Sequence, residues 1–342
     1  MDNDIYVCSN SNSLKKIQKE KLIKDDKIND YNIIYFSKIL IIIICFTFII
    51  SVPLKTKTEK KNINIKDKVK FNNEIFKNNN RINCTSVKNK LERRTRPFEY
   101  EDEFFFITNL IECNIPFSLI RFADGENSIM KGKELGSIDK WHWNPKNKIF
   151  RENLIESANI CIKGSNFIGI PCKDWINISN SILSFSNCTS AKYMTYATIF
   201  TNYNYKKFQK WVLNYINSFN RRKIILVANS VINKKLNWAY KFFPISNHLV
   251  ENWEKHSLKL IPQLTETAKQ DYLIFFISAG PAANIIISHL YKINNKNIYI
   301  DFGSSIEFIT KGYSTRSYCR KSRTSLKKCE EFIVRNKSVI YK

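Results

Sequence analysis

The chain has little glycine and little proline, eight of each in 342 residues. That excludes a collagen-like repeat and a Pro-rich disordered polypeptide. Histidine is scarcer still, and His142, His248, His256 and His289 are scattered singly, the pattern of structural or surface histidines. The nine cysteines include no Cys-x-x-Cys pair of the metal-binding type. Acidic side chains are outnumbered, 30 against 55 Lys and Arg, for a net charge of +25. The excess is uneven: +10 falls on 55–97 and +8 on 311–342, but only +6 on the long block 98–310. A dedicated nucleic-acid domain is therefore disfavoured, and no nucleic-acid partner is expected. What the chain does have is 44% hydrophobic and 13% aromatic residues, enough for a packed core.

Residues 33–54 are twenty-two in a row with Lys38 as the only charge, near one end where its ammonium can snorkel. This predicts one retained transmembrane helix. Isoleucines run all round it with no polar face, which disfavours the alternative of a buried core helix; a cleaved signal peptide is the other alternative, with an unusually long run, unusually far from Met1 and no small-residue cleavage pattern. Residues 1–32 read as a cytosolic tail, 55–97 as a basic flexible stem, 98–318 as the folded domain and 319–342 as a basic C-terminal tail. The stem offers an alternative role as a binder of acidic headgroups.

Orientation is contested within the sequence. Lys and Arg crowd the downstream side of the span, which by the positive-inside rule keeps the domain cytosolic. Four glycosylation sequons, at Asn83, Asn177, Asn187 and Asn336, all follow the span and suit a lumenal domain. Seven cysteines also follow it, an odd number that leaves at least one outside any intramolecular pair. The expectation is a single-pass protein of the endoplasmic reticulum or Golgi with a lumenal domain.

Within 98–308, short apolar runs alternate with helical periodicity, the signature of an α/β fold. Strands are predicted at 117–122, 167–170, 224–228, 272–278 and 297–301, and helices at 99–113, 148–162, 205–219, 249–267 and 281–293. Near-continuous hydrophobicity in the strands predicts a mostly parallel sheet, Rossmann-like and flanked by helices.

Three strand ends carry polar turns. At 117–126, Phe-Ser-Leu-Ile-Arg-Phe-Ala-Asp-Gly-Glu, a buried strand runs into Asp124 and Glu126 around Gly125. On an extended segment two carboxylates so spaced share one side and can hold a divalent cation; a solvated Asp-Gly turn is the plain alternative. At 271–284 a strand ends in Ala279-Gly280-Pro281-Ala282-Ala283, where helix-start amides can meet phosphate, although the lysine of a P-loop and the full Rossmann glycine pattern are absent. At 298–307, Asp301 and Gly303 follow a strand, and Asp301 suits a ribose, a sugar hydroxyl or a helix cap. Arg316 stands where it can meet a phosphate or a surface carboxylate, and Trp141 and Trp143 where they can stack on a sugar or fill an apolar patch.

The order of these segments resembles the GT-D fold family of glycosyltransferases, over about 98–318. The resemblance implies a nucleotide-sugar donor and a metal, Mn²⁺ or Mg²⁺, held with the donor diphosphate by Asp124 and Glu126. It also implies Arg121, Gly125, Gly280, Pro281, Asp301 and Gly303 at the donor site. Ala123 stands where the family often has Gly, and Glu307 where it often has Asp. Asp124, Glu126 and Glu307 are the expected catalytic residues, with Asp301, His256 and Glu254 as other possible bases. The implied function is transfer of a sugar to a glycan or protein acceptor by a membrane-anchored enzyme. The alternatives are an inactive membrane glycoprotein with a lectin-like or structural role, and a binder of nucleic acid or lipid surfaces driven by the flanking charge.

Overall fold

The computed structural model describes residues 82–312 apart from 136–141, 161–164, 172–181, 183, 186–190, 220 and 230–235. Compactness divides the chain into 1–78 and 79–342, and every described residue belongs to the second unit. The expected cytosolic tail, span 33–54 and C-terminal tail 319–342 lie outside the described residues. Among the described residues no helix is long and apolar enough to cross a membrane.

In chain order the elements are α1 (Cys84–Arg93), α2 (Tyr100–Glu112), β1 (Phe117–Arg121), α3 (Asp124–Met130), α4 (Lys148–Ser157), β2 (Asn166–Ile170) and β3 (Met194–Tyr196). There follow α5 (Tyr205–Asn217), β4 (Lys223–Asn229), β5 (Lys241–Ile245), α6 (Trp253–Ala268), β6 (Leu273–Ile277), α7 (Ala282–Ile293), β7 (Ile298–Asp301) and α8 (Glu307–Thr310). The strands form one sheet in the order β3-β2-β1-β7-β6-β4-β5, with every pairing parallel. The α/β reading with a parallel sheet holds. The first and last strands are neighbours, so their carboxyl ends, distant in sequence, open side by side.

Register explains the layers. Phe167, Leu119, Ile300 and Phe276 are cross-strand partners in one row and so share a face. On that face Phe106 of α2 meets Phe167, and Tyr215 of α5 stacks on Phe276. The next row, Asn166, Ser118, Tyr299 and Phe275, faces the other way, where Tyr291 of α7 meets Tyr299. Burial on both sides is what made these strands legible as apolar runs.

The two unforeseen strands are edges. β3 has three residues, and β5, Lys-Phe-Phe-Pro-Ile, alternates in burial and carries Pro244, which an edge tolerates.

The domain also begins earlier than expected. Residues 84–93, assigned by their charge to a flexible stem, form α1, and Arg94 is fully buried. Its guanidinium makes a two-pronged pair with Glu103 at 2.7 Å on each prong and donates to the carbonyls of Lys192 and Met194. The rings of Phe98, Phe106 and Phe167 surround it at 5.1–5.3 Å. A local charge count cannot see a partner nine residues away or carbonyls nearly a hundred residues away. Removing one partner strands a buried charge, so Glu103→Leu should cost ~3–5 kcal/mol in urea unfolding. Arg94→Met with Glu103→Leu should recover most of that loss.

Candidate active site

The backbone amide of Arg121 is where β1 and β7 part. Their pairing ends at Leu119 and Ile300. Beyond that point Asn284, fully buried in the first turn of α7, bonds both backbone groups of Arg121. Its Oδ1 accepts from the Arg121 amide at 3.1 Å, and its Nδ2 donates to the Arg121 carbonyl at 2.8 Å. A side-chain amide thus stands in for the missing strand at the carboxyl end of the sheet, where α/β folds place ligands.

The Arg121 side chain bridges the end of β7 and the turn after β3. Its Nε donates to Asp301 Oδ2 at 3.1 Å and its Nη1 to the Ala197 carbonyl at 3.0 Å. Two glycines make its path. A Cβ on Gly169, the β2 partner of Arg121, would come within 3.0 Å of Arg121 Cγ and of the Ala197 backbone. A Cβ on Gly303 would collide with the guanidinium, and Gly303 has a left-handed φ of 51°. The Gly303 amide donates to Asp301 Oδ1 at 2.8 Å. Both Asp301 oxygens are therefore engaged, and in this arrangement Asp301 positions Arg121. Burial pushes the Asp301 carboxyl up, against the pull of Arg121 and the Gly303 amide.

Asp124 and Glu126 correct one expectation. They lie not on an extended turn but in the first turn of α3, with Gly125 helical between them. Residues two apart on a helix do not face each other. Asp124 is exposed, whereas Glu126 is half-buried and folds back, its Oε2 accepting the Ala123 amide at 2.8 Å. The extended reading failed because only Phe122 and Ala123 separate the end of β1 from the helix. Burial raises Glu126 to about 7, with Asp301 and Asp124 adding repulsion while its own amide and that of Ala123 oppose the shift.

The turn at Gly280 is left-handed, φ 55°, as a glycine turn requires. Pro281 stands at the N-cap of α7, which begins at Ala282, one residue later than expected. Ala282 and Ala283 are fully buried and the Ala283 amide bonds the Gly280 carbonyl, so this helix start is less open to phosphate than the sequence suggests. Glu307, first in α8, is buried and paired with Lys311 Nζ at 2.8 Å. Glu254 and His256 stand at the start of α6. Trp143 is buried in the core, which takes it from any sugar-stacking surface, while Trp141 and Arg316 lie outside the described residues.

A divalent cation of the Mg²⁺ kind needs only one or two protein carboxylates when phosphates supply the rest. Among the described residues no group of three or more His, Cys, Asp or Glu side chains is placed to hold a metal. The residues present fit an ion that arrives with a diphosphate. Asp124 is open to it, and Glu126 would join by leaving the Ala123 amide.

A family model described as a GT-D fold-like domain matches residues 104–309, more than half of the chain. The chain belongs to the GT-D-like family. Two solved structures are similar to it. One, described as the domain of unknown function 1792 with a distinct glycosyltransferase fold, is 14% identical with a TM-score of 0.43, covering 66% of this chain and 85% of that one. The other, a selenomethionine form of the domain of unknown function 1792, is 13% identical with a TM-score of 0.44, covering 72% and 93%. No curated protein matches.

In this GT-D-like domain the residues missed in the sequence are Asn284 and Gly169. Asn284 closed the 271–284 segment without an assigned role, and a helix-start Asn next to two alanines was its only signal. Gly169 sits inside a strand, where glycine marks a close approach.

Two outcomes test this geometry. Gly303→Ala, which needs a left-handed alanine and displaces Arg121, should lower stability by at least ~1–2 kcal/mol in chemical denaturation. Folded Glu126 holds a proton that the unfolded chain releases near 4.5, so its contribution is present below 4.5 and lost as pH rises towards 7. Melting curves across that window should therefore fall more steeply for wild type than for Glu126→Gln, which still caps Ala123.

Proposed function

We propose that the chain is a membrane-anchored glycosyltransferase that moves a sugar from a nucleotide-sugar donor to a glycan or protein acceptor. The observation carrying this reading is the meeting of segments 117–126, 271–284 and 298–307 around the Arg121–Asp301 pair. Family membership supports the transferase class. The exposed Asp124 carboxylate, with Glu126, is the proposed seat of Mn²⁺ or Mg²⁺. When bound, that ion supplies Lewis-acid stabilisation for the charge on a departing nucleoside diphosphate.

The chain's own groups have separate tasks. Arg121, held in place by Asp301, Ala197 and Asn284, sets a fixed cation at the carboxyl end of the sheet, where it needs no reorganisation as leaving-group charge grows. Gly303 and the Gly280-Pro281 turn shape the donor's approach. Glu307 is the proposed base for the acceptor hydroxyl, with Lys311 holding its carboxylate. The span 33–54 anchors the enzyme and the basic segment after it serves as the stem, with the domain in the lumen of the endoplasmic reticulum or Golgi.

A second reading, a GT-D-like domain without activity, is favoured by one observation: Glu126 is used as a helix cap. Ligand-linked melting separates the two. A nucleotide sugar at a hundred times its Kd should stabilise the domain by ~2.7 kcal/mol, roughly 5–10 °C, in Mn²⁺ and not in chelator. Asp124→Asn should lose that shift. Flat curves with every nucleotide sugar favour the inactive module, and transfer that survives Asp124→Asn with Glu126→Gln refutes the metal role.

A further inference from the structure

Helix α1 is too small to hold itself in place. It has ten residues, buries Val87, and packs Leu91 only in part. Three fastenings compensate. Arg94 locks the carboxyl end, Cys84 is bonded to Cys113 at the end of α2, and Asn83 caps the amino end, its Oδ1 accepting the Ser86 amide at 3.0 Å.

Asn83 is also the acceptor position of Asn83-Cys84-Thr85. Both Asn83 and Thr85 are exposed and line an open cleft of about 790 Å³. Among the described residues nothing bonds Asn83 Nδ2. The cap uses the amide oxygen and an N-glycosidic bond uses the nitrogen, so the two roles do not compete. Of the four sequons this is the one whose surroundings are described.

We infer that Asn83 is an N-glycosylation site, capping α1 through Oδ1 while carrying a glycan on Nδ2, in a domain that matures in an oxidising compartment. In that step Nδ2 gives up one proton, to a base of the host's oligosaccharide-transferring enzyme, and bonds to the anomeric carbon of a lipid-diphosphate oligosaccharide. The anomeric C–O bond breaks and the diphosphate leaves with its electron pair. The disulfide is the independent support: cytosolic thiol pools keep cysteines reduced, and a marginal helix stapled by Cys84–Cys113 belongs where the bond persists. The basic residues after 33–54 argue the other way by charge bias, but a covalent fastening built into the domain outweighs a statistical preference. The inference rests on the lumenal placement and not on transferase activity.

The full chain made in eukaryotic secretory cells, digested without reduction and mapped by mass spectrometry, tests it. The Asn83 peptide should carry a glycosidase-sensitive glycan and be linked to the Cys113 peptide. Thr85→Ala and Asn83→Asp should each lose that glycan, and Asn83→Asp should keep the wild-type melting midpoint because a carboxylate oxygen caps as well. Unmodified Asn83 beside glycans at other sequons overturns the site and leaves the lumenal placement standing. A wholly unglycosylated chain with Cys84 a free thiol overturns both.

Discussion

The ion pair between Arg121 and Asp301 ties the ends of the first and last strands of the sheet, and the arrangement of the strand ends around it follows. Both side chains are largely buried, 13% and 7% exposed, so neither charge is hydrated and each depends on the other. The pair does not stand alone. Asn284 holds the Arg121 backbone from α7, Ala197 takes a second guanidinium nitrogen, and Gly303 holds the far side of Asp301. Four separate stretches of chain thereby meet at one cation.

A positive group fixed in that way dictates what its neighbours do. Asp124 and Glu126 follow β1 directly, and Glu126 feels Asp301 as well as Asp124. Burial and the two neighbouring carboxyl groups together keep the Glu126 carboxyl raised to about 7. Placing Asp124 and Glu126 in the first turn of a helix adds the favourable interaction of carboxylates with backbone amides.

The second buried arginine has a different task. Arg94 joins α1 to α2 and to the entrance of β3, on the face covered by α2 and α5. With the Cys84–Cys113 bond it makes 84–97 part of the folded unit although the composition there is that of a linker. Charge density misleads in this stretch because a single well-paired guanidinium changes the sign of the inference.

Five strands and five helices were legible in the sequence because each strand is buried on both faces and each helix shows a clear apolar stripe. The edges β3 and β5 were not, since an edge strand needs no continuous apolar run, and neither was α3, whose opening Asp-Gly-Glu reads as a turn until Glu126 is seen reaching back to Ala123. By itself the sequence determined the α/β class, the parallel sheet and which strand ends carry polar residues, because period and hydrophobicity are local properties. Only the tertiary structure decided that Arg121 meets Asp301 across 180 residues, that Asn284 replaces a strand, and that Asp124 and Glu126 lie in the first turn of a helix. Those are consequences of strand order and of where a helix begins, and no local pattern of residues encodes them.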